Sequence, residues 1–267
     1  MTAGHPTEPV PRAEVGIYGG TGLYALLDGA EEVVLDTPYG RPSAPVTIGV
    51  VEGRRVAFLP RHGRHHEYPP HLVPYRANAW AMHSLGVRTV LAPCAAGSLR
   101  PGIEPGDIVV CDQLVDRTWG RPDTFCEGHP VTHLTFADPY DAVARAAVVD
   151  AARAEGVTVH DGGTVVVIAG PRFATRAESR WYRTNGWDVI NMTQYPEAAL
   201  AAELGAAYAG IALVTDYDSG VDGEPGIAPV TQDAVFAAFA ANLERLKAVL
   251  HRAIALVPTG DGSGRAT

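Results

Sequence analysis

Arg61-His62-Gly63-Arg64-His65-His66 places three histidines and two arginines in six residues, directly after the apolar run Val56-Ala57-Phe58-Leu59-Pro60. Imidazoles at this density are ligands that metals use, so a metal site is the first reading. The arginines argue the other way. A fixed guanidinium repels a cation and suits a phosphate, which it can hold with two parallel hydrogen bonds. A solvated basic loop is the third possibility. The choice depends on whether other stretches of the chain also build an anion site.

Four stretches bear on it. Gly20-Thr21-Gly22-Leu23-Tyr24-Ala25 follows a strand-like run and satisfies G-x-G-x-x-A, the turn of a dinucleotide fold. Too few residues separate it from the next strand for the helix of a βαβ unit, which needs roughly 30 residues in all. The turn can still hold a phosphate through backbone N–H groups and the Thr21 hydroxyl, or serve only as a tight turn. Pro93-Cys94-Ala95-Ala96-Gly97-Ser98 is read as a loop of small residues, which lets amides approach an anion. A close-packed turn is the plainer alternative. Cys94 is a potential nucleophile with no base that the sequence assigns to it. Asn191-Met192-Thr193 and Thr215-Asp216-Tyr217-Asp218 each follow an apolar run. Asp216 and Asp218 are costly if both charges face one site, which suggests a hydrogen-bonding ligand or a metal. A solvent-facing Asp218 is the plainer alternative.

These stretches need elements to position them. Strands are expected at about Val15–Tyr18, Glu32–Leu35, Pro45–Val51, Arg55–Leu59, Thr89–Ala92, Thr164–Ile168, Asp188–Asn191 and Ala207–Thr215. Ile108–Val115 reads as one long central strand. Helices are expected at about Pro74–Leu85, Tyr140–Glu155 and Pro196–Leu204. Thr175-Arg176-Ala177-Glu178 matches a capping box that opens another, closed by Gly186. A last helix, about Thr231–Ile254, spaces Val235, Phe239, Leu243, Leu246, Leu250 and Ile254 by threes and fours. Strands and helices alternate, so the class is α/β. Residues 1–12 and 259–267 read as disordered ends around one domain, residues 13–258.

Composition narrows the function. The chain has 267 residues, 46% hydrophobic and 19% charged, with a net charge of −9. That favours a soluble globular protein with a substantial core and argues against a nucleic-acid or membrane-surface role. Cys94, Cys111 and Cys126 show no CxxC spacing, which fits a reducing compartment and no structural zinc. With no apolar leader or spanning run, the expected location is the cytoplasm.

In series, nine motifs resemble the trimeric purine nucleoside phosphorylase family, and within it the 5′-methylthioadenosine phosphorylase branch. They are Gly19-Gly20-Thr21-Gly22, Arg61-His62-Gly63, Ala95-Ala96-Gly97-Ser98, Gly106-Asp107, Gly170-Pro171-Arg172-Phe173, Ala177-Glu178-Ser179, Asn191-Met192-Thr193, Pro196-Glu197 and Thr215-Asp216-Tyr217-Asp218. The resemblance runs from about Val15 to Pro258. It implies a single-domain fold with a central mixed β-sheet, a distorted barrel, flanked by helices. It implies phosphorolysis of an adenine nucleoside with a 5′ substituent, with no metal or organic cofactor and inorganic phosphate as co-substrate. Thr21, Arg61, His62, Cys94, Ala95 and Thr193 would hold phosphate. Met192 would face the ribose. Phe173, Ile190 and Asn191 would border the base that Asp216 and Asp218 contact, with Asp216, Asp218 and His62 as the catalytic set. Val235 would line the 5′ pocket. His133 would reach the site of a neighbouring subunit in a homotrimer or dimer of trimers.

Two positions speak to specificity. Relatives that take 6-oxopurines resemble this chain except for a Glu at Ala174 and an Asn at Asp216, and both differences point to adenine. An ionised Asp218 accepts from a 6-amino group but not from O6. Two positions depart from the branch. Cys94 stands where a hydroxyl usually does, which weakens a phosphate donor. Gln232 replaces a small apolar residue in the 5′ pocket and suits a more polar substituent. The rival functions are a 6-oxopurine phosphorylase, an NAD-dependent oxidoreductase, a nucleoside sensor and a metal hydrolase built on His62, His65, His66 and Asp216.

Overall fold

The computed structural model describes residues 12–19, 23, 27–219 and 230–258. The Thr21 turn, most of both expected disordered ends and most of the loop before Gln232 lie outside these residues. Eleven strands form one mixed sheet: β1 (Val15–Gly19), β2 (Asp28–Val33), β3 (Val46–Val51), β4 (Arg54–Pro60), β5 (Thr89–Ser98), β6 (Ile108–Val110), β7 (Gln113–Arg117), β8 (Val159–Asp161), β9 (Thr164–Ile168), β10 (Val189–Asn191) and β11 (Ala207–Asp216). Among the described residues five α-helices surround it: α1 (Tyr75–Ser84), α2 (Ala142–Ala154), α3 (Arg176–Thr184), α4 (Gln194–Glu203) and α5 (Gln232–Leu256). The capping box is present at α3, where Thr175 and Glu178 satisfy each other's backbone N–H groups. Among the described residues no helix is long and apolar enough to cross a membrane.

The sheet branches at β5. Its order is β2-β3-β4-β1-β5-β10-β9-β7, while β11 lies along the opposite edge of β5 and carries β6 and β8. On the first edge β1 pairs with β5 only as far as Leu91, and β10 joins at Gly97. β11 runs beside β5 from Thr89 to Gly97. Among the described residues, the segment Pro93–Ala96 is therefore strand on one edge and open on the other. This corrects its expected loop: β5 continues because β11 supplies its ladder. The long strand expected at Ile108–Val115 also divides, since β6 pairs with β11 and β7 with β9. A continuous apolar run does not say that its two ends serve different branches. β2 runs antiparallel to β3 rather than parallel beside β1, so the dinucleotide βαβ unit is not formed. Core residues such as Val15, Ile17, Phe58, Leu91, Val148, Ile211, Leu250 and Ile254 are fully buried between the sheet and the helices α2 and α5.

Candidate active site

A cavity of about 750 Å³ opens at the split of β5. Its wall includes Arg61 and His62 after β4, Pro93–Gly97 of β5, Phe173 after β9, Ile190–Thr193 at the end of β10 and Thr215, Asp216 and Asp218 at the end of β11. Loops at strand ends beside a change in strand order are where α/β folds place ligands. Of the predicted site residues, Arg61, His62, Cys94, Ala95, Phe173, Ile190, Asn191, Met192, Thr193, Asp216, Asp218, Gln232 and Val235 meet here. Ala174 sits behind the wall, packed with Leu99, Ile168 and Ile190. His133 is exposed and lies outside this chain's own cavity.

Arg61 is 2% exposed. Its Nε and Nη2 donate to the two carboxylate oxygens of Glu197 (2.5 and 3.0 Å), and Nη1 donates to Pro93 O (3.0 Å). Burial opposes the guanidinium charge, but Glu197 more than offsets it and keeps Arg61 firmly protonated. Pro93 thus turns its carbonyl to the open edge of β5. Because strand residues alternate in direction, Ala95 presents its N–H to the same edge, toward the cavity. His62 Nδ1 lies 2.9 Å from Tyr68 O, and a carbonyl only accepts, so Nδ1 carries the hydrogen. Nε2 is left as an acceptor. Burial, then the charge of Arg61, lower the His62 pKa to about 4, so the ring is neutral near pH 7.

Cys94 does not present a nucleophile. Its Sγ is 3.7 Å from Ile211 O and accepts from Asn191 Nδ2 (3.2 Å) and Gln194 Nε2 (3.4 Å). Burial raises its pKa, and its side-chain partners are amides rather than bases.

The two aspartates close the far side. Asp216 accepts from Thr215 Oγ1 and from Asp218 N–H, both at 2.7 Å. Burial, and to a smaller extent the charge of Asp218, lift its pKa to about 6. Asp218 is 2% exposed and not solvent-facing. Ser179 and the Ser219 N–H bond its carboxylate, and burial raises its pKa. Its Oδ2 has no partner among the described residues. A buried acceptor without a donor is costly, and a ligand N–H would relieve it. Gly97 makes this packing possible, since a Cβ there would meet Asp216 Oδ1 at 2.9 Å and Asp218 N at 3.1 Å.

Several lining residues escaped the sequence reading. His66 stacks on His62 (4.6 Å between centroids) and meets the edge of Phe236 (5.7 Å). His66 has a φ of 63°, a conformation rarely adopted outside glycine, and stays exposed at the edge of the cavity. His65 stays exposed, tied through its N–H to Glu67, and does not join the His62–His66 pair. Phe236, Phe239, Ala240 and Leu243 of α5 form an apolar wall with Val235. The helical period from Val235 to Ile254 contained that signal. Its first half faces the cavity and only its second half, Leu246 to Ile254, is core.

The phosphorylase superfamily model matches residues 14–255. A purine nucleoside phosphorylase of Streptomyces coelicolor is 51% identical, covering 92% of this chain and 90% of that protein. An S-methyl-5′-thioadenosine phosphorylase of Mycobacterium tuberculosis is 54% identical over 90% of this chain and 88% of its own length. Among solved structures, the methylthioadenosine phosphorylase of Schistosoma mansoni in complex with adenine superposes with a TM-score of 0.87 at 36% identity, covering 94% and 93% of the two chains. With a match over nearly the whole described domain and the same fold, the chain belongs to the phosphorylase superfamily.

Proposed function

We propose that this protein cleaves 5′-methylthioadenosine, or a closely related 5′-substituted 5′-deoxyadenosine, with inorganic phosphate, releasing adenine and the 5-substituted ribose 1-phosphate. The observation that carries the reading is a single cavity lined by Arg61 and His62 and by Asp216 and Asp218, with Asp218 Oδ2 buried and unpartnered among the described residues. One wall offers an acceptor to a base and the other offers donors to an anion. Two of the relatives above are methylthioadenosine phosphorylases.

In the proposed reaction a phosphate oxygen attacks C1′ as the C1′–N9 bond breaks, and its electron pair passes into the purine. The sugar gains oxocarbenium character, which the bound anion beside it stabilises. Arg61, the Ala95 N–H, Thr193 and Thr21 hold the phosphate, and His62 Nε2 accepts the hydrogen of its P–OH. Cys94 sits under this site in place of a hydroxyl. Asp216, with its pKa near 6, donates a proton to N7 so that adenine leaves neutral. Asp218 accepts from the 6-amino group, Phe173, Ile190 and Asn191 flank the base, and Met192 meets the ribose. Ala174 keeps the base pocket free of a second carboxylate. Val235 and the α5 aromatics take the 5′ substituent. Gln232, at the mouth of that wall, extends the range to hydroxyl and halogen.

The functional unit is a homotrimer, or a dimer of such trimers, in which His133 completes a neighbour's site near the sugar 5′ position. The exposed Trp119, Val131 and Leu134 on the stretch that carries His133, residues 118–139, support an interface there. Co-expressing Arg61→Ala with His133→Ala subunits should give mixed oligomers more active than either variant alone; no gain would exclude a shared site.

A panel of 5′-methylthioadenosine, adenosine, 5′-halo-5′-deoxyadenosines and inosine, with and without phosphate, tests the function by free base. Adenine should appear only with phosphate, and inosine should react slower by several orders of magnitude, because its O6 leaves Asp218 unpaired. Preference for inosine, release without phosphate, or adenosine and the halo compounds falling more than about a hundredfold below the methylthio substrate would overturn the function, the mechanism or the reading of Gln232 respectively.

A further inference from the structure

Arg61 has five N–H groups, of which three are committed inside the protein: two to Glu197 and one to Pro93 O. Those that remain are the ones the cavity can use. Glu197 is 4% exposed and lies in the first turn of α4, and its Oε2 also accepts from Tyr208 OH at 2.8 Å. Tyr208 is itself fully buried on β11. The Arg61 guanidinium stands 5.8 Å from the ring centroid of Tyr18 on β1. Three elements thus meet at this side chain, α4, β5 and β1, while β11 holds Glu197 in place through Tyr208. A buried ion pair is weak evidence for stability, because desolvating both charges consumes most of their attraction. Its presence here calls for another explanation.

We propose that Glu197 is a positioning residue for phosphate attack: it holds the Arg61 guanidinium in a single orientation and cancels most of its charge, so that the anion is aimed rather than merely attracted. The inference rests on the phosphorylase reading of the site. Arg61 and Glu197 together are close to neutral, and His62 is neutral with only Nε2 open. The site therefore binds phosphate through directed hydrogen bonds more than through net charge. Arg61 freed of its partner would draw phosphate at least as strongly and present it less accurately. A misplacement of about 1 Å costs roughly a hundredfold in rate.

Glu197→Gln keeps the shape of the side chain and removes its charge. Its expected effect is a fall in kcat at saturating phosphate of about tenfold to a hundredfold, with the phosphate KM unchanged or lower and the nucleoside KM unchanged. Tyr208→Phe removes a single hydroxyl and should shift kcat the same way by about threefold to tenfold, and it serves if Glu197→Gln does not fold. A role confined to stability would move the unfolding midpoint and leave these ratios alone. An active wild type whose two variants keep kcat within twofold, or whose phosphate and nucleoside KM values rise together, overturns the inference. A wild type that releases no base with phosphate overturns the reading of the site, and the inference with it.

Discussion

Replacing Asp216 by Asn separates the proposed acid from its surroundings on two scales. Asp216 Oδ1 accepts from Asp218 N–H, and Asn keeps that bond. Its NH₂ takes the place of Oδ2, and Thr215 Oγ1, which also lies 3.3 Å from Ala96 O, can donate there and accept from the new amide. The change is sterically mild and removes one charge. Burial holds the Asp216 carboxyl at about 6 rather than 3.8, so the folded protein keeps this proton to higher pH than the unfolded chain does. The group costs nothing below its unfolded pKa of 3.8, the penalty grows as pH rises to about 6, and it is constant above. The displacement corresponds to about 3 kcal/mol. The stability of Asp216→Asn relative to wild type should therefore climb by about 3 kcal/mol between about pH 4 and pH 7, as read from denaturant titrations across that range. In the same samples, kcat with 5′-methylthioadenosine at neutral pH should fall by about 10² to 10³. A stability difference that ignores pH refutes the burial argument. Undiminished turnover removes Asp216 as the acid.

Four further outcomes follow from the geometry. Cys94→Thr, a swap of thiol for hydroxyl, should lower the phosphate KM by about threefold to tenfold in steady-state assays; an unchanged value refutes the view that the thiol weakens the site. Glu197→Gln and Tyr208→Phe should separate kcat from both KM values. Mixed Arg61→Ala and His133→Ala oligomers should regain activity. The nucleoside panel should rank adenine substrates far above inosine, with the polar 5′ substituents tolerated.

The legible part of the site was the part carried by short contiguous motifs. Arg61-His62, Asn191-Met192-Thr193 and Thr215-Asp216-Tyr217-Asp218 each follow a β-branched or apolar run, and such runs mark buried strands whose ends expose the next residues. The capping box at Thr175 was equally local. What escaped was set by distance along the chain. Glu197 is 136 residues from Arg61, and nothing in Pro196-Glu197 alone says which cation it meets. His66 borders the cavity from a left-handed backbone conformation that its sequence neighbours do not announce. The period of α5 was visible, yet a helix that lines a cavity and a helix that fills a core share that period.

The sequence by itself therefore determined the α/β class, the strand ends that carry chemistry and the residue types available there, because these depend on local pattern and side-chain identity. Tertiary structure alone decided that β5 stays a strand through Pro93–Ala96 with one open edge, that a buried carboxylate holds Arg61, and that Asp218 retains an unpaired oxygen. Each of these depends on which distant strand arrives beside another. Ladder pairing, burial and the resulting desolvation are properties of that arrangement rather than of any stretch of chain.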